Sequence, residues 1–324
     1  VTSSLADFIA GLPKAELHVH HVGSASPRIV AELAARHPAS GVPADEQLLA
    51  EYFTFRDFGH FIEVYLSVVD LIKTAEDVRM LTYEVARDMA DQRIRYAELT
   101  ITPYSSVSRG IPAEAFVEVL RWCFDIPGEA GLPSAAETAR IATELTPDGL
   151  ISFGLGGPEQ GVDRPQFQPY FDQARAIGLH SVPHAGETTG PQTIWDALDL
   201  LGAERIGHGT SAVQDPALLA HLAERQIPLE VCPTSNVATR AVPSLAEHPL
   251  PRMVEAGLLV TINSDDPPMF STDLNSEYLI AAELLQLDRA GIAALAQNAV
   301  TASFAPDQVK AGLRAEIADY LAAH

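Results

Sequence analysis

Eight short apolar runs alternate along this chain with stretches of helical periodicity, and that alternation limits the folds open to it. The runs cover residues 17–21, 94–102, 121–126, 150–154, 179–183, 205–206, 228–232 and 258–262. Helix candidates at 113–120, 134–145, 167–177, 192–200, 216–225 and 249–256 separate most of them. A helix between two strands carries the chain back to the starting edge, so successive strands pair in parallel. The pattern predicts an α/β fold of the (β/α)₈ TIM-barrel type, as one domain over residues 1–324. A doubly wound open sheet is the competing architecture, but no Gly-x-Gly-x-x-Gly turn follows a strand.

Two regions exceed what a barrel needs. After the first strand, a helix is expected at 27–36, with Ser26 as its N-cap and Pro27 in the first helical position. Residues 48–91 then read as almost wholly helical, with Phe58, Phe61, Ile62, Tyr65 and Val69 at helical spacing, and again Met80, Leu81, Val85 and Met89. This is an insertion above the first strand. Its aromatics, Tyr52, Phe53, Phe55, Phe58 and Phe61, either pack a core or wall a pocket. Further helices are expected at 273–287 and 288–321. One junction is irregular, because the helix opening at 113 runs straight into the strand at 121. A crossover normally has a loop of roughly two to six residues on each side of its helix. A segment is therefore expected to be missing at Leu120–Arg121.

A formal net charge of -22 argues against nucleic acid or an anionic membrane as partner and leaves a small molecule. No apolar run reaches the length of about 18 residues that spans a bilayer. Residues 1–10 lack the basic-then-apolar pattern of a signal peptide. Cys123 and Cys232 each sit in an apolar run, as expected for buried free thiols in a reducing cytoplasm.

The chemistry gathers in four clusters. In an extended strand alternate side chains share a side, so His18 and His20 project together. His184-Ala-Gly-Glu187, Gly207-His208-Gly209 and Ser264-Asp265-Asp266-Pro267 follow, each at the end of an apolar run. In a parallel barrel that end is the face where active sites are built. Taken singly, each residue has an ordinary reading: a hydrogen-bonded barrel histidine, a solvated glutamate opening a helix, a turn before Pro267. Their coincidence on one face argues for a site. Three imidazoles and a carboxylate suit Zn²⁺ with one position left for water. One of the histidines is then free to act as a base, and His208, between two glycines, is the natural choice. Glu187, kept neutral by a dry pocket, is placed to donate a proton. A two-metal site on this barrel normally carries a bridging lysine on the fourth strand, and the only lysines are Lys14, Lys73 and Lys310, none of them in 150–157. One metal is expected. The zinc-deaminase signature built on His-x-Glu and Pro-Cys-x-x-Cys is absent.

These residues, with Pro13-Lys-Ala-Glu-Leu-His-Val-His20 and Cys232-Pro-Thr-Ser-Asn236, resemble the adenosine deaminase family. The tail Asn298-Ala-Val-Thr-Ala-Ser-Phe304 is similar to that family's C-terminal helix. The resemblance runs over nearly the whole chain and is weakest between Val107 and Ala139. It implies that His18, His20, His184 and Asp265 ligate one zinc ion, and that Glu187 protonates purine N1. It also implies that His208 orients and deprotonates the attacking water, that Asp266 binds N7, and that the Gly157 amide binds N3. The reaction implied is hydrolytic replacement of the C6 amino group of a purine nucleoside.

One departure bears on the substrate. The family usually has an acidic residue two positions after the second histidine, and an aspartate there accepts a hydrogen bond from the ribose 5′-hydroxyl. Here the run is His20-His21-Val22-Gly23. A 5′-hydroxyl buried against Val22 and left unpaired loses roughly 1–3 kcal/mol. The run resembles the aminodeoxyfutalosine-deaminating branch of the family, whose substrate carries a carboxyphenyl ketone chain at that end. An aryl wall is then expected at Phe53, Phe55, Phe58 and Phe61, with Arg56 and His60 as candidate carboxylate partners. Deamination of adenosine in purine salvage is the alternative. An inactive metal-binding homologue and an amidohydrolase acting on an amide or ester are the other classes open. Intact Glu187 and His208 speak against the first, and the trio Gly157, Glu187 and Asp266 speaks against the second.

Overall fold

The computed structural model describes residues 4–56, 58–116 and 122–324. The irregular junction expected at Leu120–Arg121 lies outside the described residues. Among the described residues, nine strand segments, all paired in parallel, form the framework. They are β1 (Lys14–His20), β2 (Ile94–Ile101), β3 (Trp122–Pro127), β4 (Leu150–Gly156), β5 (His180–Ser181), β6 (His184–Ala185), β7 (Ile206–His208), β8 (Leu229–Val231) and β9 (Val260–Ile262). β1 to β5 pair in sequence order in one sheet and β6 to β9 in a second.

The two sheets join at both edges. β5 lies within the expected run 179–183 and β6 directly follows that run, with Val182–Pro183 between them. Val182 N donates to Phe153 O at 3.0 Å, while Pro183 O accepts from Gly207 N at 3.0 Å. Pro183 has no N–H to continue the ladder, so the strand changes partner there. At the other edge a parallel bridge links Val19 to Asp265. His20 N donates to Asp265 O at 2.9 Å and Asp265 N donates to His18 O at 3.1 Å. Counting β5 and β6 as one strand, the eight expected runs occupy the eight positions of a parallel α/β barrel.

The surplus helices are present where the periodicity predicts them. Between β1 and β2 lie helices Pro27–Arg36, Glu46–Tyr52, Phe58–Val69 and Ala75–Asp91, and after β9 come Leu274–Leu285, Arg289–Ala302 and Asp307–Ala323. Side-chain caps start several of them. Thr74 and Asp77 form a reciprocal capping box, and Asp215, Asp273 and Asp288 accept from amides in the first turns of their helices. Ser26 occupies the N-cap position without capping. Its hydroxyl donates instead to Asp88 Oδ2 at 2.8 Å and ties this helix to Ala75–Asp91. Among the described residues no helix is long and apolar enough to cross a membrane.

The seam between β1 and β9 depends on one amide side chain. Asn263, fully buried, accepts from Leu17 N at 3.0 Å and His18 N at 3.2 Å through Oδ1, and donates to Thr261 Oγ1 at 2.9 Å. Asn263→Ala leaves two buried backbone N–H groups unpaired, so unfolding in urea should show a loss of about 2–4 kcal/mol. Asn263→Asp keeps the acceptor and should lose less. A change below about 0.5 kcal/mol in the alanine variant would show that the seam stands without it.

Candidate active site

The four clusters meet at the C-terminal ends of the strands. His18 and His20 come from β1, His184 opens β6, His208 ends β7, and Asp265 follows β9. One ligating atom from each of His18, His20, His184 and Asp265 lies within 4.8 Å of the others. Asp265 Oδ1 is 3.1 Å from His20 Nε2 and 3.5 Å from His18 Nε2. A second grouping, His18, His208, Cys232 and Asp265, meets the same distance. His208 and Asp265 both have left-handed backbone, at φ 61° and 64°. Such strain in non-glycine residues is held only where the surroundings over-determine it, as at a functional site.

Hydrogen bonds aim the imidazoles. His18 Nδ1 lies 2.9 Å from Glu230 Oε2, and His184 Nδ1 lies 3.0 Å from Leu155 O. Both neighbours are acceptors, so each Nδ1 carries the proton and each Nε2 presents a lone pair to the centre. His18 Nε2 is buried and has no hydrogen-bond partner. A row of inward lone pairs beside an aspartate is the donor set that a divalent ion satisfies. Behind His18, Glu230 is bonded to the buried guanidinium of Arg205, which also bonds Glu98 and Ala302 O. Burial alone would raise the Glu230 pKa, but Arg205 and His18 hold it below the ordinary carboxylate range.

Glu187 sits on a clamped loop. Buried Glu159 accepts from the amides of Gly186, Thr188 and Thr189, and Arg164 bridges Glu159 to His184 O. Glu187 faces the cavity with His208 Nε2 3.7 Å from its Oε2 and Thr239 Oγ1 donating to its Oε1 at 3.2 Å. Burial, then the charges of Asp265 and Glu159, push its pKa up to about 8, so it is protonated at neutral pH. Asp266 is raised to about 7 by burial and by Asp265, and its buried Oδ1 has no partner. Gly23 permits that placement, since a Cβ there would come within 2.7 Å of Asp266 Cβ. Ser235 Oγ donates to Asp265 Oδ2 at 2.6 Å.

The cavity above these groups is lined by His20, His184, Glu187, His208, Asp265, Asp266 and Gly157. The helix Phe58–Val69 adds Phe61, Ile62, Tyr65 and Leu66. The expected ligand, acid, base and purine-contacting residues are therefore together. Val22 is not among them. It lines a neighbouring apolar hollow with His21, Val69, Ile72 and Val78, and Tyr65, Thr102 and Ser105 border both spaces. The expected aromatic wall is narrower than the sequence predicts. Phe61 lines the cavity, Phe55 packs on Phe61 and Phe270, and Phe53 faces a separate hollow beside Glu16 and Asp88. The Phe58 side chain lies outside the described part. Neither Arg56 nor His60 is among the lining residues.

Sequence reasoning missed Glu159, Arg164, Thr239, Glu230, Arg205 and His248. Glu230, a charge inside the apolar run 228–232, carried a readable signal. Glu159 and His248 lie in loops and carried none.

With the site assembled, comparison with known proteins gives a consistent result. The family model for adenosine deaminase matches residues 13–320. An aminodeoxyfutalosine deaminase from Streptomyces avermitilis is 69% identical, covering 98% of this chain and 94% of its own length. An adenine deaminase from Arthrobacter aurescens is 30% identical in structure-based comparison, with a TM-score of 0.87 over 96% of this chain and all of that one. An amidohydrolase from Burkholderia ambifaria with bound zinc is 25% identical, with a TM-score of 0.87 over 100% of this chain and 97% of that one. This chain belongs to the adenosine deaminase family and is a hydrolytic deaminase.

Proposed function

We propose that the whole chain acts as one catalytic unit that deaminates aminodeoxyfutalosine at purine C6, in the cytoplasm, with one zinc ion. The 69% identity to an enzyme of that name, over nearly the full length of both, carries the substrate. The apolar side chains of Phe61, Ile62, Tyr65 and Leu66 over the cavity agree with a nucleoside bearing an apolar 5′ substituent.

His18, His20, His184 and Asp265 are the ligand set. Cys232, in the competing group, is held protonated by burial, and a neutral thiol is a poor ligand. Zinc supplies Lewis acidity that lowers the pKa of a water towards about 7. The remaining steps belong to the chain. Glu187, protonated at neutral pH, gives its proton to N1, so that C6 accepts the nucleophile. A C6–O bond forms, the C6–N bond breaks, and ammonia leaves. Asp266 Oδ1, buried and unpartnered, binds N7, and Gly157 binds N3. His208 lies beside the attacking oxygen and orients it.

Metal analysis of active protein should find one zinc per chain, because no bridging lysine is present. Two tightly held ions, both needed for turnover, would reject the one-metal reading. Glu187→Gln should keep its zinc and lose at least about 10² in kcat, the usual scale for general acid–base catalysis. A near-normal kcat in the folded, loaded variant would remove Glu187 from that role. Aminodeoxyfutalosine should exceed adenosine in kcat/KM by at least about tenfold, equivalent to about 1.4 kcal/mol of transition-state binding. Val22→Asp should move the ratio towards adenosine by placing a charge beside the Tyr65 boundary. Wild-type preference for adenosine would overturn the substrate while leaving the deaminase chemistry standing.

A further inference from the structure

The hydrogen bonds behind His208 determine which of its ring nitrogens carries the proton. The chain of bonds begins at a backbone amide, whose direction is fixed. Leu250 N donates to His248 Nδ1 at 3.1 Å. A neutral imidazole that accepts at Nδ1 carries its proton on Nε2. His248 is neutral at neutral pH, because burial pushes its pKa down to about 4. Its Nε2–H lies 3.3 Å from Asn236 Oδ1 and donates to it. That bond sets the orientation of the Asn236 amide and turns Nδ2 towards His208 Nδ1, 3.1 Å away. Asn236 Nδ2 can only donate, so His208 Nδ1 accepts. The proton of a neutral His208 is therefore on Nε2.

The front of the ring faces two carboxyl groups. His208 Nε2 faces Glu187 Oε2 at 3.7 Å and Asp265 Oδ2 at 3.9 Å. Asp265 offers lone pairs to an N–H there, while Glu187, protonated at neutral pH, can donate or accept and does not decide the direction. The contrast with His18 and His184 is informative. Acceptors stand behind those rings and leave Nε2 bare for a metal, while a donor stands behind His208.

We infer that Asn236 and His248 are positioning residues that hold His208 as its Nε2–H tautomer, so that it donates a hydrogen bond to the attacking oxygen and does not take a proton from it. The inference rests on the proposed deamination and alters the role that sequence reasoning gave His208. The same tautomer keeps His208 out of the metal's ligand set. The proton lost by the water is left to Glu187, whose carboxylate is free to accept it once its own proton has gone to N1, and which can then pass it to the departing amine.

The direct test is heteronuclear NMR of zinc-loaded wild-type protein with isotope-labelled histidine, using His208→Asn to assign the ring. The expected spectrum has a protonated Nε2 and a bare Nδ1. The reverse pattern overturns the inference, and this measurement needs no variant to fold. Asn236→Leu removes the donor at similar volume. It should release the tautomer, lower kcat by at least about tenfold and leave KM within about twofold, with zinc content unchanged. Wild-type kcat in a folded, zinc-loaded Asn236→Leu also overturns it. A wild type that releases no ammonia from any 6-aminopurine nucleoside would sink the deaminase reading, and the tautomer would still be settled by the spectrum.

Discussion

Two backbone hydrogen bonds, between Asp265 and the residues His18 and His20, both join the last strand to the first and bring together side chains of the proposed metal site. Asp265 donates to one histidine's carbonyl and accepts from the other's amide, so three of the four ligands are fixed relative to each other by main chain alone. Asn263 holds the same seam from behind, through the amides of Leu17 and His18. The left-handed backbone at Asp265 is the local cost of turning away directly after this pairing. The barrel and the site are closed by the same contacts.

Several polar groups taken into that interior have a defined counterpart, as low local dielectric favours. Glu230 stands behind His18, Leu155 O behind His184, Asn236 behind His208, Ser235 beside Asp265 and Thr239 beside Glu187. The partners differ in polarity, and the difference separates roles among chemically identical rings. An acceptor at the back leaves a lone pair at the front, and a donor at the back leaves a proton there. The exceptions are as telling: His18 Nε2 and Asp266 Oδ1 are buried with no partner in the protein and face the space where metal and substrate are proposed.

The helices inserted after β1 serve the site as well as the core. Phe58–Val69 lays Phe61, Ile62, Tyr65 and Leu66 over the cavity, while Ala75–Asp91 is bound through Asp88 to Ser26 and Arg28 at the start of the helix Pro27–Arg36. Ser26 illustrates how tertiary partners override local habit. A serine before a helix beginning with proline is a natural cap, yet its hydroxyl is drawn to Asp88, a carboxylate on another helix. Tyr65 borders both the catalytic cavity and the hollow of Val22, which makes the helix the wall between them.

The alternation of apolar runs by itself determined the parallel barrel, because a helix between strands leaves only parallel pairing. The ends of those runs pointed to the proposed site, since His20, His184, His208 and Asp265 lie at or just beyond strand ends on the same face and His18 shares a side of β1 with His20. The run 179–183 changes partner where Pro183 lacks an amide proton, and pairing resumes on the other side at His184. Only the tertiary structure decided what stands behind each ring and how wide the cavity is. Those partners, Glu230, Leu155, Asn236 and His248, are tens of residues away or on backbone atoms, and residue spacing carries no information about hydrogen-bond direction. Phe53, Phe55 and Phe61 read alike along the chain, yet they face three different surroundings, because helix packing angles and not residue type set which aromatic meets the substrate space.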